Sequence, residues 1–454
     1  MNRKRTDYLI QYFVSLLIAL LLGSWSHSWY ETLSISLFLF LIIKFTYDLG
    51  KTMSIKNIIA IIATMQYLIG PILGYAYNDS LPLGYRMQIP KEVYFSFVLP
   101  ASIFYFIGLF WRLNKLSSTV NFESNNVDYF KKGRLLIIIG FISDFFSLGF
   151  VGFILGGLKF VGLFYMFSSK HPLKYYWMIP VFGVLVSNTL NSGMFHELIL
   201  WGCFFLMTYY IFRKTKFVVR LTTIIVGLCL IFLIQLVKKD YRMAMSDNQL
   251  NTGKGELFLD QFKKKFSGTG ASLSDEDIAN NVVRLNQGWI ISYVMQNVPE
   301  HRPYAEGLTI KDAIVASIFP RFLMPDKVIA DGHSNMINYA GIELSSTTAM
   351  DIGQMGEAYA NFGVFGGIIF MFLLGLFLNW VVTFLERKSL KYPDIIFWVP
   401  LIFLQSIKAE TDVAIILNHI TKTALVTWFF FTPFAKFLIN IRSTNTNEFH
   451  SFIE

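Results

Sequence analysis

The chain has 454 residues, of which 54% are hydrophobic, 17% aromatic and 15% charged, with a mean hydropathy of +0.49. Soluble domains carry roughly 25% charged residues, so this composition excludes an ordinary soluble enzyme and points to lipid. The net charge of +9 does not indicate nucleic acid: of 39 basic and 30 acidic residues, 12 and 15 lie in 238–363, which leaves 27 and 15 elsewhere, and that basic excess sits in short loops between hydrophobic runs, as the positive-inside rule requires.

Met1–Asp7 sets Arg3, Lys4 and Arg5 ahead of an apolar run. No small-residue cleavage site follows, so the run reads as an uncleaved first span. A helix needs about 20 apolar residues to cross the hydrocarbon core. On that criterion the spans fall at 9–26, 31–47, 57–77, 93–111, 135–149, 151–168, 176–190, 196–212, 218–237, 364–386, 394–412 and 421–440. The stretch 135–168 is too long for one span and short for two. Its centre, Ser147–Phe153, reads either as a tight outer turn or as a re-entrant segment. Two passes place Lys131, Lys132 and Arg134 on the same side as the Arg213–Lys216 and Glu386–Lys388 clusters, which the charge rule favours.

The expected fold is therefore all-α: a polytopic integral membrane protein of about twelve transmembrane helices, both ends cytoplasmic, with one large, partly helical periplasmic loop. Three regions follow: an N-terminal bundle over 1–237, the loop over 238–363, and C-terminal helices over 364–454. No internal repeat is evident, which counts against a transporter built from inverted repeats. The two cysteines, Cys203 and Cys229, lie in hydrophobic runs, so no disulfide framework is expected.

The loop is far longer than a connector and carries its own helical patterning. Ser274 followed by Asp277 suits a helix start leading into 275–298. Thr309 with Asp312 repeats the pattern before Ala313–Phe319, which Pro320 stops. A last helix begins near Thr347 and runs into the span at 364.

Ionisable groups near membrane depth are costly and become functional suspects. The loop and its flanks gather Lys238, Lys239, Arg242, Arg284, Arg302, Arg321, Lys327, His333, Asp351 and Glu357. Arginine forks bind phosphate oxygens in a bidentate way that lysine does not copy, and Arg242 lies just past a span end, at the depth of a lipid-linked phosphate. The bland alternative is that these are solvated or snorkelling charges. Asp351, Gln354, Glu357 and Asn361 are spaced three, three and four apart and fall within an arc of about 120° on a helix. That stripe makes Glu357 a candidate general base, with Asp351 next in line; the alternative is a helix-start acid or a partner for a loop arginine. His196 and Glu197 open a span with no metal-binding spacing, which suits an interfacial role. Lys408 and Asp412 are spaced to pair along a helix. Asp275-Glu276-Asp277 is better explained by capping than by metal binding. No nucleotide-binding glycine pattern and no metal-ligand cluster is present.

Three stretches carry a resemblance: Arg284-Leu285-Asn286-Gln287-Gly288-Trp289, Pro320-Arg321-Phe322-Leu323-Met324-Pro325-Asp326-Lys327, and Gly356-Glu357-Ala358-Tyr359-Ala360-Asn361-Phe362-Gly363. They resemble the bacterial O-antigen/oligosaccharide repeat-unit polymerases (Wzy-type), and Asn191–His196 is similar to a segment of some such proteins. The likeness extends over the topology and most of the chain, and is specific at those three stretches. It implies an integral-membrane glycosyltransferase of the bacterial inner membrane that needs no cofactor. Such an enzyme moves a growing glycan from undecaprenyl pyrophosphate to a lipid-linked repeat unit, within a membrane that also holds a flippase and a chain-length regulator. Arg284 and Arg321 match positions typical of the family, whereas Arg242, Arg302, Lys327, Gln354 and Asn361 rest on the residues themselves. An O-antigen ligase, a lipid-linked sugar transporter and a membrane scaffold are the competing expectations.

Overall fold

The computed structural model describes residues 28–111, 128–146, 149–213, 215–246, 253–267, 275–319, 332–345 and 350–432, with Thr348 and a few helical positions within 10–21. Most of the expected first span, the end of the expected last one, Ser274, Thr347, Arg321 and Lys327 lie outside the described residues.

Among the described residues every element is helical apart from one isolated bridge between Leu49 and Thr52. In chain order the helices are α1 (Trp29–Asp48), α2 (Ile55–Ala76, passing through a π turn at Met65–Ile69), α3 (Lys91–Leu109), α4 (Tyr129–Asp144) and α5 (Gly149–Ser168). Next come α6 (Lys174–Ser192), α7 (His196–Phe212), α8 (Phe217–Ser246), α9 (Lys254–Ser267) and α10 (Asp275–Leu285). Then come α11 (Gly288–Asn297), α12 (Leu308–Ile318), one short turn of helix at Gly332–Asn335 running into a π turn at Met336–Ala340, and the long or apolar helices α13 (Gly353–Ser389), α14 (Pro393–Ile402) and α15 (Val413–Phe431).

Among the described residues seven helices are long and apolar enough to cross a membrane: α1, α2, α3, α5, α8, α13 and α15. The chain is thus a helical membrane protein. The stretch 135–168 resolves into two helices, α4 ending at Asp144 and α5 beginning at Gly149, packed against each other. Glycine makes their close approach feasible. A Cβ at Gly140 would stand 2.6 Å from the Lys159 nitrogen, and one at Gly162 would stand 2.7 Å from the Gly133 carbonyl oxygen. Small residues let helix backbones touch in lipid, where no hydrophobic force drives helices together. The α3–α13 crossing uses the same device at Gly108 and Gly375, which abut the backbones of Phe372 and Tyr105.

The expected span 394–412 is not one helix. Its 3₁₀ and α turns stop at Ile402, and 403–412 forms an irregular strap leading to α15. Asp394 explains why the first part is fixed: it takes a hydrogen bond from Lys132 at 2.7 Å and one from Tyr165 at 2.8 Å, all of them buried. Trp398 donates to the same Tyr165 hydroxyl at 3.0 Å, so α4, α5 and α14 are locked through one network. Lys408 and Asp412 therefore do not share a helix, and the pairing expected from their spacing is not made. Irregular backbone at membrane depth is tolerated where protein buries it, and most of the strap is buried.

The expected helix 275–298 is also two, broken at Asn286 and Gln287. There the chain settles on α2: the Gln287 N–H donates to the Gln66 carbonyl at 3.2 Å, and a Cβ on Gly70 would lie 2.2 Å from the Leu285 carbonyl oxygen. The long α13 begins at Gly353, later than expected, and kinks at Gly363, whose φ of 63° and ψ of −157° suit glycine. Its first ten residues lie over the strap and the rest forms the span.

Candidate functional site

The turn of α13 before the kink forms a buried acidic hub. Glu357 is 1% exposed, and both its oxygens are engaged: Oε1 accepts the Thr309 hydroxyl at 2.7 Å and Oε2 accepts the Val413 N–H at 2.8 Å. Asn361 donates to the Thr309 hydroxyl oxygen at 2.7 Å and accepts the Gly307 N–H at 3.1 Å. Asp412 accepts the Gly353 N–H at 2.8 Å and the Asn335 amide at 2.7 Å. Gln354 donates to the Lys408 carbonyl at 3.2 Å, which ties α13 to the strap a second time.

This geometry corrects three expectations. Asp351 precedes the helix, so only Gln354, Glu357 and Asn361 form the stripe. The stripe faces inward, with each of its residues 2% exposed or less. Glu357 has no arginine partner among the described residues; a threonine and a helix N-terminus satisfy it instead. Thr309, expected to start a helix, lies inside α12, which begins after Gly307, and its hydroxyl goes to Glu357. Asp351 is half-buried beside Gly332, and its carbonyl lies 3.4 Å from the Gln287 amide.

A second cluster is basic. Lys238 and Arg242 sit one turn apart near the end of α8, and Arg284 ends α10. Each lies within electrostatic reach of the other two. Burial, and after it the Arg242 charge, lowers the Arg284 guanidinium from its ordinary pKa. Its Nη1 is buried without a hydrogen-bond partner. Among the described residues no carboxylate lies within ion-pair distance of these three; the nearby Asp240 is taken by Lys265 at 3.6 Å. His196 is in the field of both Lys408 on the strap and Lys238 of this cluster.

Hub and cluster meet at Gln66 and Gln287. The Gln66 amide donates to Glu410 on the strap at 2.6 Å, and Tyr67 donates to the Ala409 carbonyl at 2.6 Å. Gln287, three residues after Arg284, bridges the Gln66 backbone to Asp351.

Of the residues singled out in the sequence, the fold brings Asp351, Gln354, Glu357 and Asn361 to the hub, and Arg242 and Arg284 to the basic cluster. Arg302 stands exposed after α11, where its charge reaches Tyr339 together with those of Glu357 and Asp312; burial dominates there and raises the Tyr339 phenol. Asp412, Thr309, Asn335, Gln66 and Gln287 enter the site only through tertiary contacts. Among the described residues no three His, Cys, Asp or Glu side chains are grouped to hold a metal ion.

A helical membrane bundle whose strap and loop helices enclose an acidic hub beside an unpaired basic cluster defines the class of this protein. Residues 135–390 match the family described as "Domain of unknown function (DUF8712)", and the chain belongs to that family. No curated protein and no solved structure matches it.

Proposed function

We propose that this protein polymerises lipid-linked oligosaccharide repeat units. In this reading it moves a growing glycan from undecaprenyl diphosphate to the repeat unit on a second lipid, in O-antigen, capsule or exopolysaccharide synthesis. The observation that carries the reading is the Lys238, Arg242 and Arg284 cluster. Three cations with no acidic partner among the described residues lie where α8 leaves its apolar stretch, of which only 6% is buried in the protein. A diphosphate anchored in lipid presents its charge at that depth, and guanidinium forks suit its oxygens.

In the proposed reaction the acceptor hydroxyl oxygen bonds to the anomeric carbon as the bond from that carbon to the diphosphate oxygen breaks. The electron pair leaves with undecaprenyl diphosphate, and the hydroxyl proton passes to a carboxylate. The leaving group needs charge stabilisation more than protonation, and the basic cluster supplies it. Arg302, Arg321 and Lys327 are assigned to the same lipid-linked substrates by residue type. Asp351, half-buried at the junction of hub and cluster, is assigned as the base. Glu357, with both oxygens engaged, is a positioning residue that holds the strap together with Gln354 and Asn361.

The proposal includes about twelve spans, cytoplasmic ends, a periplasmic 238–363 and an inner-membrane location shared with a flippase and a chain-length regulator. Its test is the glycan profile of a deletion strain: single repeat units where the parent makes a ladder are expected, and an unchanged ladder overturns the reading. A ladder that stays on the lipid carrier would instead assign a ligase. Because the cations carry the leaving-group charge, activity of the purified protein is expected to survive EDTA.

A further inference from the structure

An apolar groove of about 660 Å³ runs along α6 to the start of α9. Ile179, Phe182, Val186 and Leu190 form its wall, and Asn191 and Lys254 line it where α6 meets α9. Ile179 and Val186 are 67% and 44% exposed, and Gly183 opens the wall further, since a Cβ there would meet nothing within 4 Å.

The Leu190 end lies toward the basic cluster. Tyr241 donates its hydroxyl to the Leu190 carbonyl at 2.7 Å and lies 3.3 Å from the Lys254 carbonyl, so it pins both groove walls. The next residue, Arg242, lays its side chain on Gly193, whose φ is +61° and where a Cβ would come within 2.9 Å of the arginine. An open apolar groove and a set of cations with no acidic partner among the described residues are thus joined by two consecutive residues of α8.

We infer that this groove seats the hydrocarbon chain of a polyprenyl diphosphate whose charged end is held by Lys238, Arg242 and Arg284. The inference rests on the diphosphate reading proposed above and adds where the lipid lies. Charge complementarity selects the occupant: three cations exceed the single negative charge of a phosphodiester lipid and suit a diphosphate. One groove reaching one cluster also takes one chain per headgroup, whereas a glycerophospholipid brings two. Burying chain methylenes adds affinity in proportion to the apolar area covered.

The test uses the full chain purified in detergent, with inorganic diphosphate, geranyl diphosphate and undecaprenyl diphosphate as probes in a binding assay. Gly183→Leu adds bulk to the groove at a position where a Cβ meets nothing within 4 Å, and Val186→Trp does so at an exposed position. Wild type is expected to bind undecaprenyl diphosphate most tightly. Both variants should lose that advantage by about tenfold, the effect of roughly two methylenes' contact, with inorganic diphosphate binding unchanged. If both variants bind all three probes as wild type does, the groove assignment is overturned while the diphosphate reading stands. If no diphosphate probe binds wild type, the underlying reading falls and the inference with it. Equal displacement of undecaprenyl diphosphate by phosphatidylglycerol would show a groove for bulk lipid and overturn the proposal.

Discussion

Glu357 and Asp412 cap each other's helices: the Glu357 carboxylate accepts the first N–H of α15, from Val413, and the Asp412 carboxylate accepts the first N–H of α13, from Gly353, each at 2.8 Å. Helix N-termini carry unsatisfied donors and a partial positive charge, so this exchange satisfies both ends and fixes the strap between them.

Removing the Glu357 side chain should therefore be felt as instability. Glu357→Ala strands the Val413 N–H and the Thr309 hydroxyl, at about 1–3 kcal/mol for each buried group left unpaired. Glu357→Gln keeps one acceptor and should cost about 1 kcal/mol. Thermal unfolding of the detergent-solubilised protein should rank wild type, Gln and Ala in that order. If the Gln variant is fully stable yet inactive, Glu357 acts in the chemistry itself and the positioning role is wrong.

The Lys132–Asp394 pair makes a separate prediction about the bundle. Both side chains are 5% exposed or less, and stranding one charge of a buried pair costs about 3–5 kcal/mol. Lys132→Met should lower the yield of folded protein sharply, and Lys132→Met with Asp394→Leu should recover most of it. A single variant as stable as wild type would mean that the network formed with Tyr165 and Trp398 does not depend on the charge.

Arg284 and Arg242 should not tolerate lysine equally. Arg284 is half-buried with an unpartnered Nη1, so Arg284→Lys should weaken inorganic diphosphate binding by about tenfold or more through loss of the bidentate fork. Arg242 is exposed, and Arg242→Lys should weaken it less, with a steeper salt dependence in both variants. Titration at low and high salt reads both effects; equal affinities in all three proteins would reduce the cluster to surface charge.

Gly363 tests the kink. Its backbone lies where side chains are strained, and a Cβ would stand 3.1 Å from the Tyr304 ring. Gly363→Ala should cost about 1–3 kcal/mol and loosen the seat of α13 on the strap. Faster proteolysis within 403–412 would accompany the loss of thermal stability. Unchanged protection there would uncouple the kink from the strap.

The membrane character and the helical fold were legible in the residues because they follow from local quantities, whereas the division of 135–168 into two helices was read from charge clusters elsewhere in the chain. Lipid demands continuous apolar runs and internally satisfied backbones, and both demands are written along the chain. Glu357, Gln354 and Asn361 also declared themselves as a stripe by their spacing. What the stripe faces was not local information. Whether Glu357 meets solvent, an arginine or the start of α15 depends on the break at Ile402, and the segment ahead of that break is held by Asp394 meeting Lys132, 262 residues away. Likewise Arg284 and Arg242 were suspect by residue type, but only the packing of α10 on Gly70 brings Arg284 to the end of α8, beside Arg242 and the groove of α6. Apolar periodicity determines which segments enter the membrane; partners distant in the sequence decide where those segments break and which charges are left without a counterion.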